Sequence, residues 1–593
     1  MGCRRAPALV THRRLLAALV LLGLALYVFP LVLEHPLIDP DEGLHAAIAQ
    51  AMVEGGDYVT PRFLREPFPD KPVFFFWALA GSLRAFGFTE AAARAPGLLF
   101  GLLGAATTGL LAGTILGRRG GWLAAIFYAT LSLPIGLMQM PVHDLALVPF
   151  TNGALLAFWR AARSVRAQRV LGWSLLAGVC LGGAILTKGL SGVAIVGLAH
   201  ATVLLIERRL RVAVVVGGAL ALIIGVAVAA PWFMAMEQAH PGYLDYYLFQ
   251  RHVLGFTTAT QRHGKSAWHY YLPVVLGGGL PWILYAPFTI GRRRPRALDP
   301  ITESRFADGT RLGWSLLVTG TLFLSLSKSK LLTYALPLFP AIALLAAVAW
   351  LARQQRSGDH PSRWFGRMPA VQAGIGALLL PAALIFAPAK FAVPHVEWVW
   401  VIAAAIAAGW WVAARTVSRH TQAAAALGAT MTAATLIVAL AVLVPPVANV
   451  TTAKDLAETI NRSGRFPAEL WMVEQRSGSL VFYLDPLLRR DLTRERVLQL
   501  SSPQVPEHEP VAGTRVAVTA GDSPRLARYL QLEGQPYVPA GHYRMYDGER
   551  LLHRDAPLNR QPVPAHAPHH RPPQRSAGLQ SGGGETRDPA HDR

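Results

Sequence analysis

The chain contains little cysteine and little charge. Of its 593 residues only two are Cys, and only 15% are Asp, Glu, Lys or Arg. Cys3 and Cys180 cannot build the disulfide framework of a small secreted domain or a cysteine-type metal cluster. The low charge, together with 52% hydrophobic residues and a mean hydropathy of +0.34, excludes an ordinary soluble domain and predicts a polytopic membrane protein.

Acidic residues are especially scarce, with 35 Asp and Glu against 56 Lys and Arg, which gives a net charge of +21. Such a balance can mark a nucleic-acid-binding protein, but the Arg clusters stand in short segments between apolar runs and form no single basic stripe. We therefore expect the clusters to anchor membrane helices on the cytoplasmic side, with membrane lipids and not nucleic acid as their partners.

Apolar runs of roughly 20 residues, the length that crosses a hydrocarbon core as a helix, recur along the chain. The first is typical of an uncleaved signal anchor. With the N-terminus inside, every Arg cluster falls on a cytoplasmic loop, and most unusual polar residues gather on the outer side. The thirteen predicted spans are residues 15–33, 92–116, 120–138, 142–160, 170–187, 189–206, 212–233, 268–290, 311–327, 331–352, 369–388, 394–414 and 424–445.

Composition divides the chain into three regions. Residues 1–445 form the predicted membrane domain, with amphipathic juxtamembrane helices in its first outer loop. Residues 446–556 have mixed polar sequence and predict a small α/β domain outside the membrane, and residues 557–593 predict a disordered tail. The predicted strands in the α/β domain lie at residues 469–475, 514–520 and 542–554, with helical patterns near 478–484 and 523–532.

The stretch "IDPDEGLHAAIAQAMVEGG" follows the first apolar run. Asp39, Pro40 and Glu42 match a capping arrangement, with Asp39 as the N-cap and Glu42 reaching back from the first turn. Capping does not require Asp41, although a carboxylate in the first turn also favours the helix dipole. Asp41 is therefore a candidate functional carboxylate.

Other polar residues stand where apolar ones are expected. Asp70 and Lys71 lie between two prolines, where the alternative is an ordinary surface ion pair. Asp144 begins an apolar span, a position that usually marks function. Lys188 lies in a tight turn between two spans, where the alternative is a snorkelling lysine.

"SLSKSKLLTYALPLFP" places two lysines, Lys328 and Lys330, at an outer membrane surface with Tyr334 one turn later. Two ammonium groups at headgroup height, beside serine hydroxyls, predict a cradle for a lipid-linked phosphate.

The motif order "DPDE…GDYVTPRF…DKPVFFFW…ARAPG…VHD…LTKG…RH…LPW…SKSKLLTYALPLFP" resembles the bacterial aminoarabinose transferase and protein-mannosyltransferase-like family of the C-type glycosyltransferase superfamily, over about residues 15–350. The resemblance implies a multi-pass enzyme of the bacterial inner membrane. Such an enzyme moves a sugar from a polyprenyl phosphate donor to a lipid, glycan or protein acceptor on the periplasmic face, with inversion.

The resemblance also implies roles for matching residues. It makes Asp41 and Asp144 catalytic or acceptor-positioning carboxylates. Asp70 and His252 would hold a divalent metal ion, zinc, manganese or magnesium. The resemblance gives Lys71, Lys188 and Tyr334 to the donor phosphate, which Lys328 and Lys330 of the predicted cradle would also bind.

Three positions depart from the aminoarabinose branch. Leu44 and His45 replace an Arg and a Tyr, and Asp70 replaces a Glu. The loss of an arginine suited to a phosphate-bearing acceptor leaves the acceptor open. The alternative function is a transporter or flippase of lipid-linked sugars, which predicts inverted repeats and charges near the bilayer centre, whereas here the charges collect at one face.

Overall fold

The computed structural model describes residues 35–258, 267–290, 299–355, 421–473, 477–490, 492–500, 511–519 and 535–547, with isolated residues between 365 and 412. The predicted span at 15–33 and the predicted tail lie outside these residues. The spans predicted at 369–388 and 394–414 are represented by isolated residues only.

Long apolar helices dominate the described part of the chain. Six are long and apolar enough to cross a membrane, and a bent helix pair would make a seventh. The exact number of thirteen spans stays a prediction. The helices are α1 (Asp41–Gly55), α2 (Phe74–Phe86), α3 (Glu90–Leu116), α4 (Arg118–Ala129), α5 (Ser132–Leu137), α6 (His143–Arg163), α7 (Ala167–Lys188), α8 (Leu190–Ile206), α9 (Val212–Ala239), α10 (Tyr271–Gly278), α11 (Pro300–Leu326), α12 (Phe339–Gln354) and α13 (Thr421–Thr451). A π-helical segment, Asp245–Leu254, with the single helical turn Gly255–Thr257 after it, and two 3₁₀ segments, Trp282–Thr289 and Leu332–Leu338, complete this part.

Two predicted spans are not single straight helices. The run at 120–138 breaks between α4 and α5, where Trp282 donates a hydrogen bond of 2.8 Å to the Thr130 hydroxyl. The run at 268–290 bends by 104° after α10, where glycines and Pro281 weaken a continuous helix. Apolar length alone did not reveal these breaks.

Close packing of α7 against α9 depends on small residues. A Cβ on Gly178 would lie 2.8 Å from the Ala221 carbonyl oxygen, and one on Gly182 would lie 2.6 Å from the Val228 side chain. Glycine therefore lets the two backbones approach, as is usual between helices in membranes. The neighbouring helix α6 begins at the end where α7 finishes, which brings the first turn of α6 next to Lys188.

A mixed sheet of five strands follows α13. The strand order in this sheet is β4 (Val497–Leu500), β3 (Leu470–Val473), β5 (Arg515–Thr519), β7 (Tyr543–Asp547) and β6 (Tyr537–Ala540). A separate two-stranded sheet, β1 (Arg62–Phe63) and β2 (Glu66–Pro67), lies between α1 and α2. β3 is parallel to β4 and β5, and β7 is antiparallel to β5 and β6. The three predicted strand segments contain β3, β5 and β7, whereas β4 and β6 were missed. The short helices are α14 (Lys454–Ser463), α15 (Gly478–Tyr483) and α16 (Pro486–Arg489), and the helical pattern near 523–532 lies outside the described residues.

The capping interpretation of the first outer loop is wrong for Asp39. α1 begins at Asp41 without a side-chain cap. The Asp39 carboxylate instead accepts hydrogen bonds from Ser479, 440 residues away. Glu42 does reach back, accepting a hydrogen bond of 2.8 Å from the Ile38 N–H, but it also forms an ion pair with Arg94.

The Glu42–Arg94 pair is fully enclosed, with both side chains 2% exposed. Arg94 donates to both Glu42 oxygens, at 3.2 and 2.9 Å, and to the carbonyl oxygens of His35 and Pro36, both at 3.0 Å. These bonds fasten the segment before α1 to helix α3.

Removing one partner of this pair leaves a buried, uncompensated charge. We expect Arg94→Gln to lower the free energy of unfolding by about 3–5 kcal/mol. The matched control Arg62→Gln, in the half-exposed pair with Asp57, should cost about 1 kcal/mol or less. Unfolding of the purified protein in mixed detergent micelles measures both, and equal losses in the two variants would contradict the assignment of Arg94.

Candidate active site

The centre of the candidate site is a buried ion pair between Asp144 and Lys188. Asp144, in the first turn of α6, is 5% exposed and lies where the helix dipole favours a carboxylate. Lys188 ends α7, pairs with Asp144, and places its Nζ 3.7 Å from the ring centroid of Tyr334. The structure therefore brings three predicted residues together. Because the Lys188 side chain is 11% exposed and paired, the snorkelling alternative does not describe it.

A second group of charges surrounds Asp70. Its Oδ1 accepts a hydrogen bond of 2.6 Å from the Tyr246 hydroxyl, and its Oδ2 lies 3.5 Å from an Arg251 nitrogen. Arg251 and Lys71 both act electrostatically on Lys188. Lys71, Lys188 and Arg251 thus form a basic cluster. The sequence reasoning missed Tyr246 and Arg251, although Arg251 directly precedes His252 in the quoted motif.

Asp41 is exposed in the first turn of α1, between the buried carboxylates of Asp39 and Glu42. Its charge also acts on Lys188, which places it beside the basic cluster. One helical turn later, the buried His45 ring holds its Nδ1 2.8 Å from the Pro141 carbonyl oxygen. Burial lowers the pKa of His45 below its ordinary value, and the nearby Asp41 carboxylate offsets part of that shift.

The two late lysines have different surroundings. Lys330 is 5% exposed and donates to the Ser327 carbonyl oxygen, and burial lowers its pKa. Lys328 is exposed, while its backbone N–H donates to the Phe256 carbonyl oxygen at 2.9 Å. Lys330 is thus committed to a backbone group, and a phosphate-binding role for either lysine stays a prediction.

The residues predicted to bind a metal ion are arranged for other partners. His252 Nδ1 lies 2.8 Å from the Tyr247 carbonyl oxygen, and its Nε2 accepts a hydrogen bond of 3.2 Å from the Leu190 N–H. Both ring nitrogens are therefore used, and both Asp70 oxygens have the partners given above. Within the described ranges no group of three or more His, Cys, Asp or Glu side chains could hold a metal ion. In this structure Asp70 and His252 are therefore engaged with protein groups and not arranged around a common point, and metal dependence stays a prediction.

Comparisons with known proteins agree with this architecture. The sequence profile described as dolichyl-phosphate-mannose-protein mannosyltransferase matches residues 70–234. An undecaprenyl phosphate-alpha-4-amino-4-deoxy-L-arabinose arabinosyl transferase of Aeromonas hydrophila is 31% identical over 383 residues, 63% of this chain and 66% of the relative. The enzyme of the same description from Pseudomonas savastanoi pv. phaseolicola is 31% identical over 365 residues, 61% of this chain and 66% of the relative.

Among solved structures, ArnT from Cupriavidus metallidurans bound to undecaprenyl phosphate superposes with a TM-score of 0.71 and 22% identity, covering 91% of this chain and 98% of that one. The chain therefore shares the fold of that structure. The chain is thus similar to members of the C-type glycosyltransferase superfamily, the resemblance that the motifs predicted. Its alignments span just under two thirds of the length of the curated relatives.

The buried His45 predicts a pH-dependent stability. Because its folded pKa is lowered, the unfolded chain binds the proton more readily, and stability must fall as the pH drops through about 6.5. His45→Asn keeps a donor for the Pro141 carbonyl oxygen but cannot titrate. We expect this variant to lose less thermal stability between pH 7 and pH 5 than the wild type. An identical pH dependence of the melting temperature would show that His45 does not contribute.

Proposed function

We propose that this protein is a membrane glycosyltransferase that moves a sugar from a polyprenyl phosphate donor to an acceptor of the cell envelope. The observation that carries the proposal is the presence of two ion-paired cations, Lys188 on Asp144 and Arg251 on Asp70, in the same region as the exposed carboxylate of Asp41. The names of the arabinosyl transferase relatives and the undecaprenyl phosphate bound in the ArnT structure support this donor class.

Charge stabilisation explains the basic cluster. When the bond between the anomeric carbon and the phosphate oxygen breaks, the electron pair leaves with the phosphate, and its negative charge must be stabilised. Lys71, Lys188 and Arg251 provide cations for that charge. Asp144 keeps Lys188 paired inside a largely buried site, so the ammonium need not be held unpaired before the donor binds.

Asp41 is the better candidate for the base. Asp144 already pairs with Lys188, whereas the Asp41 carboxylate is exposed to an incoming group. An acceptor hydroxyl would transfer its proton to Asp41 as its oxygen attacks the anomeric carbon from the side opposite the phosphate. A single displacement of this kind inverts the anomeric centre. No step in this mechanism requires a metal ion.

The positive-inside distribution of Arg clusters supports a site on the periplasmic side of the bacterial inner membrane. The acceptor is a lipid, a glycan or a protein. Lipid A is one candidate within this class, and the Leu44 and His45 replacements weaken its case because they remove an arginine suited to a phosphate-bearing acceptor.

Asp41→Asn should abolish most transfer, because an amide cannot accept the acceptor's proton. We expect a loss of about 10²–10⁴-fold. Mass spectrometry of envelope lipids and glycans from a deletion strain carrying each variant measures transfer. Asp57→Asn, which changes a half-exposed acid in the same loop, is the matched control. If the deletion strain and the wild type have identical lipid and glycan profiles, the transferase proposal fails. Movement of the intact lipid-linked sugar across the membrane would instead favour the alternative function, a transporter or flippase.

Removal of metal ions tests separately whether Asp70 and His252 bind a divalent ion. Since His252 uses both ring nitrogens for backbone groups, we expect dialysis of the purified protein against a chelator to leave transfer unchanged. A loss of transfer that is restored by added Zn²⁺, Mn²⁺ or Mg²⁺ would show that Asp70 and His252 rearrange to bind an ion.

A further inference from the structure

The C-terminal helix α15 contacts the segment that carries Asp41. The Ser479 N–H donates to Asp39 Oδ1 at 3.0 Å, and the Ser479 hydroxyl donates to Asp39 Oδ2. The same hydroxyl accepts a hydrogen bond of 2.8 Å from the Ala453 N–H, which directs its proton toward Asp39. Ser479 is fully buried and Asp39 is 9% exposed, so the contact is shielded from water.

Two glycines allow this contact. A Cβ on Gly478 would lie 2.7 Å from the carbonyl carbon of Gly43 and 2.8 Å from Asp39 Oδ1. A Cβ on Gly43 would lie 2.8 Å from the carbonyl carbon of Gly478. The first turns of α1 and α15 therefore touch backbone to backbone, at a distance that excludes any side chain at either position.

Asp41 thus lies between two residues, Asp39 and Glu42, whose side chains are held by distant parts of the chain. Glu42 binds Arg94 of helix α3, and Asp39 binds Ser479 of helix α15. Because Asp39, two residues before it, and Glu42, directly after it, are held by different parts of the fold, the backbone of Asp41 has little freedom. Its carboxylate nevertheless remains exposed.

We propose that Asp39 and Ser479 are positioning residues through which the C-terminal part of the chain sets the place of the Asp41 carboxylate for acceptor activation. This inference rests on the proposed function. The donor side should be independent of it, because Lys71, Lys188 and Arg251 are carried by other segments. Loss of the contact should therefore slow transfer without weakening donor binding.

The test compares Ser479→Ala, Asp39→Asn and the double variant as purified full-length proteins and in the complemented deletion strain. Misplacing a catalytic group by about 1 Å can cost on the order of 10²-fold, so we expect roughly a 10- to 100-fold loss of transfer. Affinity for undecaprenyl phosphate should stay at the wild-type value, and hydrogen exchange of the amides of residues 41–45 should rise. The double variant should lose no more than the worse single variant, since both remove one interaction.

Thr514→Val is the matched control, because it also removes a fully buried hydroxyl from the C-terminal part, one that donates to the Val511 carbonyl oxygen at 2.8 Å. It should leave transfer per folded protein unchanged. If Asp39→Asn does not fold, Ser479→Ala, which keeps the backbone N–H donor, decides the test. Wild-type transfer in Ser479→Ala, or a parallel loss of undecaprenyl phosphate affinity, would overturn the inference. A wild-type protein that transfers no sugar would instead refute the proposed function.

Discussion

The buried pair of Glu42 and Arg94 is the interaction on which the position of helix α1 and its Asp41 depends. Removing two charges from water is costly, and the cost is offset only when the remaining donors and acceptors are satisfied. Here Arg94 also binds two backbone carbonyl oxygens, and Glu42 accepts a backbone N–H. The pair therefore fixes the path of the chain into α1, and with it the position of Asp41.

The candidate site balances positive charge with nearby acids. Lys188 is paired with Asp144, and Arg251 lies beside Asp70. These pairs allow cations to remain in a partly buried region, where an isolated ammonium would be strongly disfavoured. The donor phosphate of the proposed function would place its negative charge beside the cations Lys188 and Arg251, which would stabilise an anionic leaving group.

The C-terminal part of the chain is attached to the first outer loop at several places. Lys454 pairs with Glu90 at 2.9 Å, Arg489 pairs with Glu54, and the Tyr483 hydroxyl accepts a hydrogen bond of 2.8 Å from the Leu37 N–H. The described sheet and its helices lie in the same compact unit as the apolar helices. Together with the buried contact at Asp39, these bonds hold the C-terminal part against the segment that carries Asp41.

The sequence by itself determined that the chain is built largely of apolar helices and is similar to arabinosyl transferases. Apolar length and ordered motifs are local features, so they can be recognised without knowing which distant residues meet. It also indicated Asp41, Asp144 and Lys188 as candidates. Only the tertiary structure decided that Asp39 binds Ser479 and not its own helix, and that Arg94 and Arg251 belong to the architecture of the site. Such pairings join residues far apart in sequence. Helical periodicity and capping patterns specify which residues share one face of a helix. They carry no information on which residue, distant in the sequence, will pack against that face.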